Sequence, residues 1–203
     1  MTPQATPPAL ALTEDPLLRT AERQVVHRLM ETSGYPDEHA AAVAELAILM
    51  AEQLHLRAEE MRTIVLGALL HDVGKVRIDE RILVKPGPLD EDEWRDVQRH
   101  PNEGERLLDG VLAREVLAIV RSHHERWDGR GYPDALVAGE IPLGARIVAV
   151  ADAYRAMLEH RPYRAAVTPC DALDEVEREA GAQFDPDCVA ALLHVVAVAD
   201  AAA

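Results

Sequence analysis

The stretch that decides the fold is AEEMRTIVLGALLHDVGK, which occupies residues 58–75. Its apolar residues recur at the helical period, at Met61, Val65, Ala68 and Leu69. This spacing predicts a helix over residues 58–70. His71 and Asp72 follow directly, so two side chains that can bind a metal would leave the end of one rigid element together.

Segments with helical periodicity occur along the rest of the chain. They predict helices over residues 16–30, 37–54, 91–99, 101–108, 113–124 and 143–158, and two further helices that begin near residues 168 and 186. Residues 73–90 and 125–142 are interrupted by glycine and proline and are predicted as loops, the first with at most a short helical turn. Alternating β-branched or aromatic segments are absent, and aromatic residues make up 3% of the chain, so the predicted fold class is all-α.

Length and charge limit the domain organisation and the partners. A chain of 203 residues can bury one core but is short for two, so we expect a flexible N-terminal tail over residues 1–14 and a single domain over residues 15–203. The formal net charge of -15 disfavours nucleic acids and anionic membrane surfaces as partners. The sequence shows neither a secretory signal nor an apolar stretch that could span a bilayer, so we expect a cytoplasmic protein.

Seven histidine and aspartate residues are candidates for binding metal. They are His39, His71, Asp72, His100, His123, His124 and Asp152. Imidazole and carboxylate are the ligands that borderline divalent metals prefer. A single histidine is a weak signal, but the adjacent pairs at residues 71–72 and 123–124 each offer two ligands at a helix end. A mixed set of this size suits two metal ions better than one.

Two motifs in this set resemble those of a known family. LLHDVGK at residues 69–75 resembles the signature of the HD superfamily of metal-dependent phosphohydrolases, and HHERWDGRGYP at residues 123–133 resembles the hallmark of its HD-GYP subgroup. The similarity continues through shorter motifs and covers about residues 37–193. It implies a helical bundle that hydrolyses cyclic di-GMP with two divalent transition-metal ions, commonly iron or manganese. The seven candidate residues align with the family's metal ligands.

Four residues are predicted to bind or activate a phosphodiester substrate. Asp72 is the natural bridge between two metals, and Lys75 is placed to neutralise charge on the phosphate oxygens. The family's basic positions that contact the dinucleotide correspond to Arg161 and Arg164 in this sequence, and guanidinium groups suit phosphate and guanine edges.

The glycine-rich loop after the second histidine pair is predicted to contact the substrate. Gly131, Tyr132 and Pro133 are assigned to substrate binding. Tyr132 and Trp127 either pack on a purine or anchor the loop, and the sequence leaves both alternatives open.

Three residues depart from the family pattern. Tyr35 stands where members with a third metal carry glutamate, Ala42 replaces a common arginine, and Arg155 replaces a second aspartate common after Asp152. A phenol is a poor substitute for an anionic ligand at neutral pH, so we expect a two-metal site. With two metals we expect the linear product pGpG to accumulate.

Other functions stay open at this point. Arg155 favours a related enzyme that acts on another nucleotide or phosphodiester. A third hypothesis is a non-catalytic module that senses a cyclic dinucleotide or binds a partner protein, although none of the seven candidate ligands is lost. No sensory or receiver domain is recognisable, so either a regulatory protein partner supplies the input or the chain is a fragment of something longer.

Overall fold

The computed structural model describes residues 17–33, 38–159 and 166–202, and these residues are mainly helical. The α-helices are α1 (Thr20–Ser33), α2 (Glu38–Gln53), α3 (Ala58–Leu70), α4 (Glu80–Leu83), α5 (Glu91–Val97), α6 (His100–Leu108), α7 (Arg114–Ser122), α8 (Leu143–Leu158), α9 (Pro169–Arg178) and α10 (Pro186–Ala202). Two 3-10 helices cover Val73–Arg77 and Ala138–Glu140. The described ranges contain isolated bridges but no strand, which confirms the all-α prediction.

The predicted helix bounds agree with the structure to within a few residues. The bounds of α3 and α8 are those predicted, and Thr168 caps α9 by accepting a hydrogen bond from the Asp171 backbone N–H at 3.2 Å. α6 begins at His100 instead of at residue 101. The loop predicted over residues 73–90 contains a 3-10 helix and the short α4. The start predicted at Asp15 and Pro16 lies outside the described residues.

Helices α2, α3 and α8 form the centre of the fold. Each of the three packs against the other two, and α10 covers α2 and α8 from outside. Every residue from Ile64 to Leu70 is buried, so the second half of α3 is surrounded by protein on all sides. None of the helices in the described segments is long and apolar enough to cross a membrane.

A tight contact fixes the turn that follows α3. Gly74 lies in the 3-10 helix that packs on α6, and a Cβ atom at this position would come within 2.0 Å of the His100 carbonyl oxygen. The same atom would lie 2.5 Å from the Gly104 backbone nitrogen. A residue larger than glycine would therefore push α6 away from the turn.

A buried carboxylate anchors the loop between α7 and α8. Glu125 is buried and accepts hydrogen bonds from the backbone N–H groups of Asp134 at 2.6 Å and Leu136 at 3.1 Å. On the outside of the loop, Arg121 bridges Asp134 and Glu105. These contacts hold the loop beside the two histidines that follow α7.

Candidate metal centre

Three of the predicted histidines are oriented by the same helix-end geometry. The Nδ1–H groups donate to the carbonyl three residues earlier: His71 to Ala68 at 2.7 Å, His100 to Val97 at 2.7 Å and His123 to Val120 at 2.8 Å. The carbonyls of the last helical turn lack a partner within the helix, so a histidine just past the helix end can satisfy one of them. A carbonyl can only accept, so Nδ1 carries a proton in each ring, and in the neutral form that binds a metal Nε2 keeps its lone pair.

The lone pairs of two of these rings meet in the protein interior. The Nε2 atoms of His100 and His123 lie 3.2 Å apart, and Asp72 Oδ1 lies 3.2 Å from the first and 3.9 Å from the second. With His124 these residues form a group whose ligand atoms all lie within 4.8 Å of one another. Several acceptors at such distances repel one another unless a cation lies among them.

A second group lies beside the first and is formed by His39, His71 and Asp152. Asp152 Oδ1 is 2.9 Å from His39 Nε2 and 4.0 Å from His71 Nε2. The fully buried His71 Nε2 has no hydrogen-bond partner among the described residues. It also lies 3.5 Å from Asp72 Oδ2, so the two carboxylate oxygens of Asp72 face different groups.

The protonation states of the first group suit a metal ion. Burial, together with the neighbouring imidazoles, lowers the pKa of His123 well below its usual value, and burial with the charge of His100 lowers the pKa of His124 to about 3. Burial alone would raise the pKa of Asp72, but the charges of His71 and Lys75 outweigh it and hold this pKa well below the ordinary range. Two neutral imidazoles beside an ionised carboxylate are the forms that metals bind.

Glu159 is a residue of this centre that the sequence analysis missed. Its Oε1 accepts a hydrogen bond from His39 Nδ1 at 2.7 Å, so His39 is held by a carboxylate, whereas the rings of His71, His100 and His123 are held by backbone carbonyls. Burial lowers the pKa of His39, but the hydrogen bonds that His39 donates to Asp152 and Glu159, with the negative charges of these carboxylates, outweigh it and raise this pKa to about 9. The spacing offers a signal, because Glu159 follows Asp152 by about two helical turns and comes directly after the last residue of α8.

The donor set fits divalent metal. All seven residues predicted from the sequence fall into the two groups, which together offer imidazole nitrogen and carboxylate oxygen. The unpartnered Nε2 of His71 and the facing Nε2 atoms of His100 and His123 are the positions that a metal would satisfy.

The residues predicted to contact substrate are placed as follows. Lys75 forms an ion pair with Asp72 at the edge of the first group. Tyr132 stacks on His124 with ring centroids 4.9 Å apart. Pro133 follows Tyr132 through a cis peptide bond. Arg161 and Arg164 lie outside the described residues, as does Tyr35.

Gly131 has a structural contact that the sequence did not predict, and Trp127 has contacts that fit one of its two predicted roles. A Cβ atom on Gly131 would lie 2.3 Å from the Arg126 backbone nitrogen, so glycine is needed for the loop to pack on the chain that follows His124. Trp127 donates its backbone N–H to Gln183 O, and its ring lies 5.7 Å from the Arg146 guanidinium. These contacts favour loop anchoring for Trp127.

Fold and site together define a helical protein with a buried cluster of histidine and aspartate that can hold divalent metal. The HD domain model matches residues 9–188, and the chain belongs to the HD domain family and to its HD-GYP group.

Known relatives agree with this assignment, and a solved structure shares the fold. The chain is 47% identical over 180 residues to the cyclic di-GMP phosphodiesterase response regulator RpfG of Xanthomonas campestris, with 85% of this chain and 48% of that protein covered. It is 40% identical over 161 residues to 3'3'-cGAMP-specific phosphodiesterase 3 of Vibrio cholerae, with 79% and 35% covered. The fold matches a HDG"Y"P protein from Bdellovibrio bacteriovorus with a TM-score of 0.67 at 18% identity, covering 93% of this chain and 68% of that one. The chain thus spans about half or less of the length of these two curated relatives.

Proposed function

We propose that this chain is a metal-dependent phosphodiesterase that hydrolyses cyclic di-GMP. The observation that carries the proposal is the convergence of seven imidazole and carboxylate side chains in two adjacent groups, with ring nitrogens directed at one another. The Xanthomonas relative, 47% identical, is named a cyclic di-GMP phosphodiesterase, which supports the substrate class.

Each group of residues would hold one metal ion. His100, His123 and His124 would bind the first, and His39, His71 and Asp152 the second, with Asp72 bridging both. Two divalent ions, iron or manganese by family resemblance, would lower the pKa of water and stabilise charge on a phosphate. The mixture of nitrogen and oxygen ligands supports a borderline metal over magnesium or calcium.

The chain's own residues would position the phosphodiester and balance its charge. Lys75 lies beside Asp72 and can donate to a phosphate oxygen as negative charge builds up in the transition state. We assign Arg161 and Arg164 to the dinucleotide on the basis of the family motif alone. Tyr132, stacked on His124, forms one wall of the approach to the metal groups.

The proposed product is linear pGpG. Water adds across one P–O3′ bond of the ring, which leaves a 3′ hydroxyl and a 5′ phosphate monoester. The monoester carries extra negative charge, and in the sequence Tyr35 stands where family members with a third metal carry glutamate. A second hydrolysis to GMP should therefore be slow.

A second candidate is hydrolysis of a different cyclic dinucleotide or phosphodiester. Arg155, one turn after Asp152, replaces an aspartate of the family pattern, and the Vibrio relative is named for 3'3'-cGAMP. We also propose that a regulatory domain or partner protein controls the enzyme, because the Xanthomonas relative is named a response regulator and is about twice as long. The cytoplasmic location expected from the sequence stays a prediction.

One experiment tests these proposals together. Protein reconstituted anaerobically with iron or manganese is incubated with cyclic di-GMP, with 3'3'-cGAMP and with a simple phosphodiester, and the products are separated over time by ion-exchange chromatography. We expect about two metals per chain, consumption of cyclic di-GMP, accumulation of pGpG, and no turnover by Asp72→Asn. Activity on the simple ester alone would overturn the substrate assignment, and rapid formation of GMP without pGpG would overturn the product.

A further inference from the structure

A cleft of about 850 Å³ opens beside the first metal group. His100 and His124 line one part of it, so a ligand in the cleft can reach the metal ligands. Trp94 on α5 lines another part, together with Leu89 and Val97. This volume is typical of a small-molecule site. Neither Trp94 nor the apolar wall around it has a role in the chemistry described above.

Aromatic rings connect the metal group to Trp94. His124 and Tyr132 are stacked, with centroids 4.9 Å apart, and Tyr132 and Trp94 meet edge to face at 6.4 Å. Trp94 is nevertheless 48% exposed and is the one aromatic residue among the large hydrophobic side chains exposed in the described segments. A large apolar ring left in contact with water at the wall of a cleft is suited to stack on a ligand.

Two positively charged side chains line the cleft. The sequence contains two lysines, Lys75 and Lys85, and both line this cleft, although the formal net charge of the chain is -15. Lys75 pairs with Asp72, and Lys85 pairs with Glu93, the residue before Trp94. A ligand with a phosphate near the metal group and a flat base further out would match both the charges and the rings.

We propose that Trp94 is the stacking surface for a purine base of the dinucleotide whose scissile phosphate lies at His100 and His124. The assignment rests on the proposed function and adds a residue that determines how tightly the substrate binds. Base stacking on an aromatic residue is sequence-tolerant, and its loss weakens binding by about 5- to 150-fold. Trp94 would thus act on substrate binding and leave the metal groups unchanged.

The chain offers a matched spectroscopic control, because it contains two tryptophans, Trp94 and Trp127. Trp127 lies near Arg146 and is not among the residues that line the cleft. The metal-loaded variants Trp127→Phe and Trp94→Phe each keep one fluorophore. We expect cyclic di-GMP and GMP to quench fluorescence in Trp127→Phe, where Trp94 remains, and to leave Trp94→Phe unchanged. Ribose 5-phosphate, which has no base, should quench neither variant.

Steady-state kinetics provide the second readout. Trp94→Ala should raise KM for cyclic di-GMP by about 5- to 150-fold, with kcat and metal content near wild type, and Trp94→Phe should restore most of the loss. The stacking assignment would be overturned if the ligands quenched Trp94→Phe but not Trp127→Phe, or if KM were unchanged in Trp94→Ala. The exposed surface at Trp94 would then be assigned to binding a protein partner. If wild-type protein hydrolyses no cyclic dinucleotide, the proposed function fails, while quenching of Trp94 by GMP still tests the stacking surface independently.

Discussion

Raising the pH should destabilise the metal-free protein between pH 6.5 and pH 9, mainly through His39. The pKa of His39 is raised from 6.5 to about 9 by Asp152 and Glu159 despite burial, so the folded state holds a proton that the unfolded state releases. This contribution to stability is complete below pH 6.5 and is lost as the pH rises through the folded pKa. A shift of this size corresponds to about 3 kcal/mol. The pKa of His71 is also raised, by Asp72 against the effect of burial, and it acts in the same direction.

The opposite trend should hold below pH 6.5. His123 and His124 are buried as neutral rings with lowered pKa values, so the unfolded state binds protons there that the folded state does not. Their contribution to stability is lost as the pH falls below 6.5. The metal-free protein should therefore be most stable near pH 6.5.

Urea unfolding followed by far-UV circular dichroism measures this effect. The free energy of unfolding of the metal-free protein is compared at pH 6.5 and pH 9, and Glu159→Gln, which keeps a hydrogen-bond acceptor but removes a charge, should show a smaller decrease. Metal-loaded protein should show the reverse trend, because metal competes with protons for the ligands. Equal or greater stability of the metal-free protein at pH 9 would refute the pairing of His39 with the two carboxylates.

Three further substitutions test the positioning of the site. Glu159→Gln should weaken metal binding by about 10- to 100-fold in a chelator competition, because the carboxylate orients His39. An unchanged metal affinity would show that Glu159 does not orient His39 for metal binding. Gly74→Ala should lower the free energy of unfolding by about 1–3 kcal/mol and reduce metal content, because the added methyl group displaces α6. Gly139→Ala is the control, since its Cβ would meet nothing within 4 Å. Similar behaviour of the two variants would argue against the tight contact. Glu125→Ala should lower the free energy of unfolding by about 1.5–3 kcal/mol, because the hydrogen bonds to the loop are lost, and it should increase proteolysis of the loop. A loop that resists proteolysis as well as in the wild type would contradict the anchoring.

The helical framework could be predicted largely from the sequence, because helical periodicity is a local property. The bounds of α3 and α8 follow from their apolar pattern, and the Thr168 cap follows from the residues beside it. The identity of the seven candidate ligands followed from residue type and motif. Two helix ends carry adjacent ligand pairs, so the sequence already indicated that His71 and Asp72 act together.

The tertiary structure decided how those residues combine. His39 bonds to Asp152 and Glu159, which are 113 and 120 residues away in the chain, and no local pattern encodes a pairing of that range. The first group depends on the packing of α6 against the 3-10 helix and of α7 against α3, the second on the packing of α2 and α8 against α3, and Asp72 faces both. The cleft at Trp94 likewise exists only because α5 and the loop bearing Tyr132 meet in space. Side-chain identity and helix position are set along the chain, whereas distances between distant side chains are set by how the helices pack.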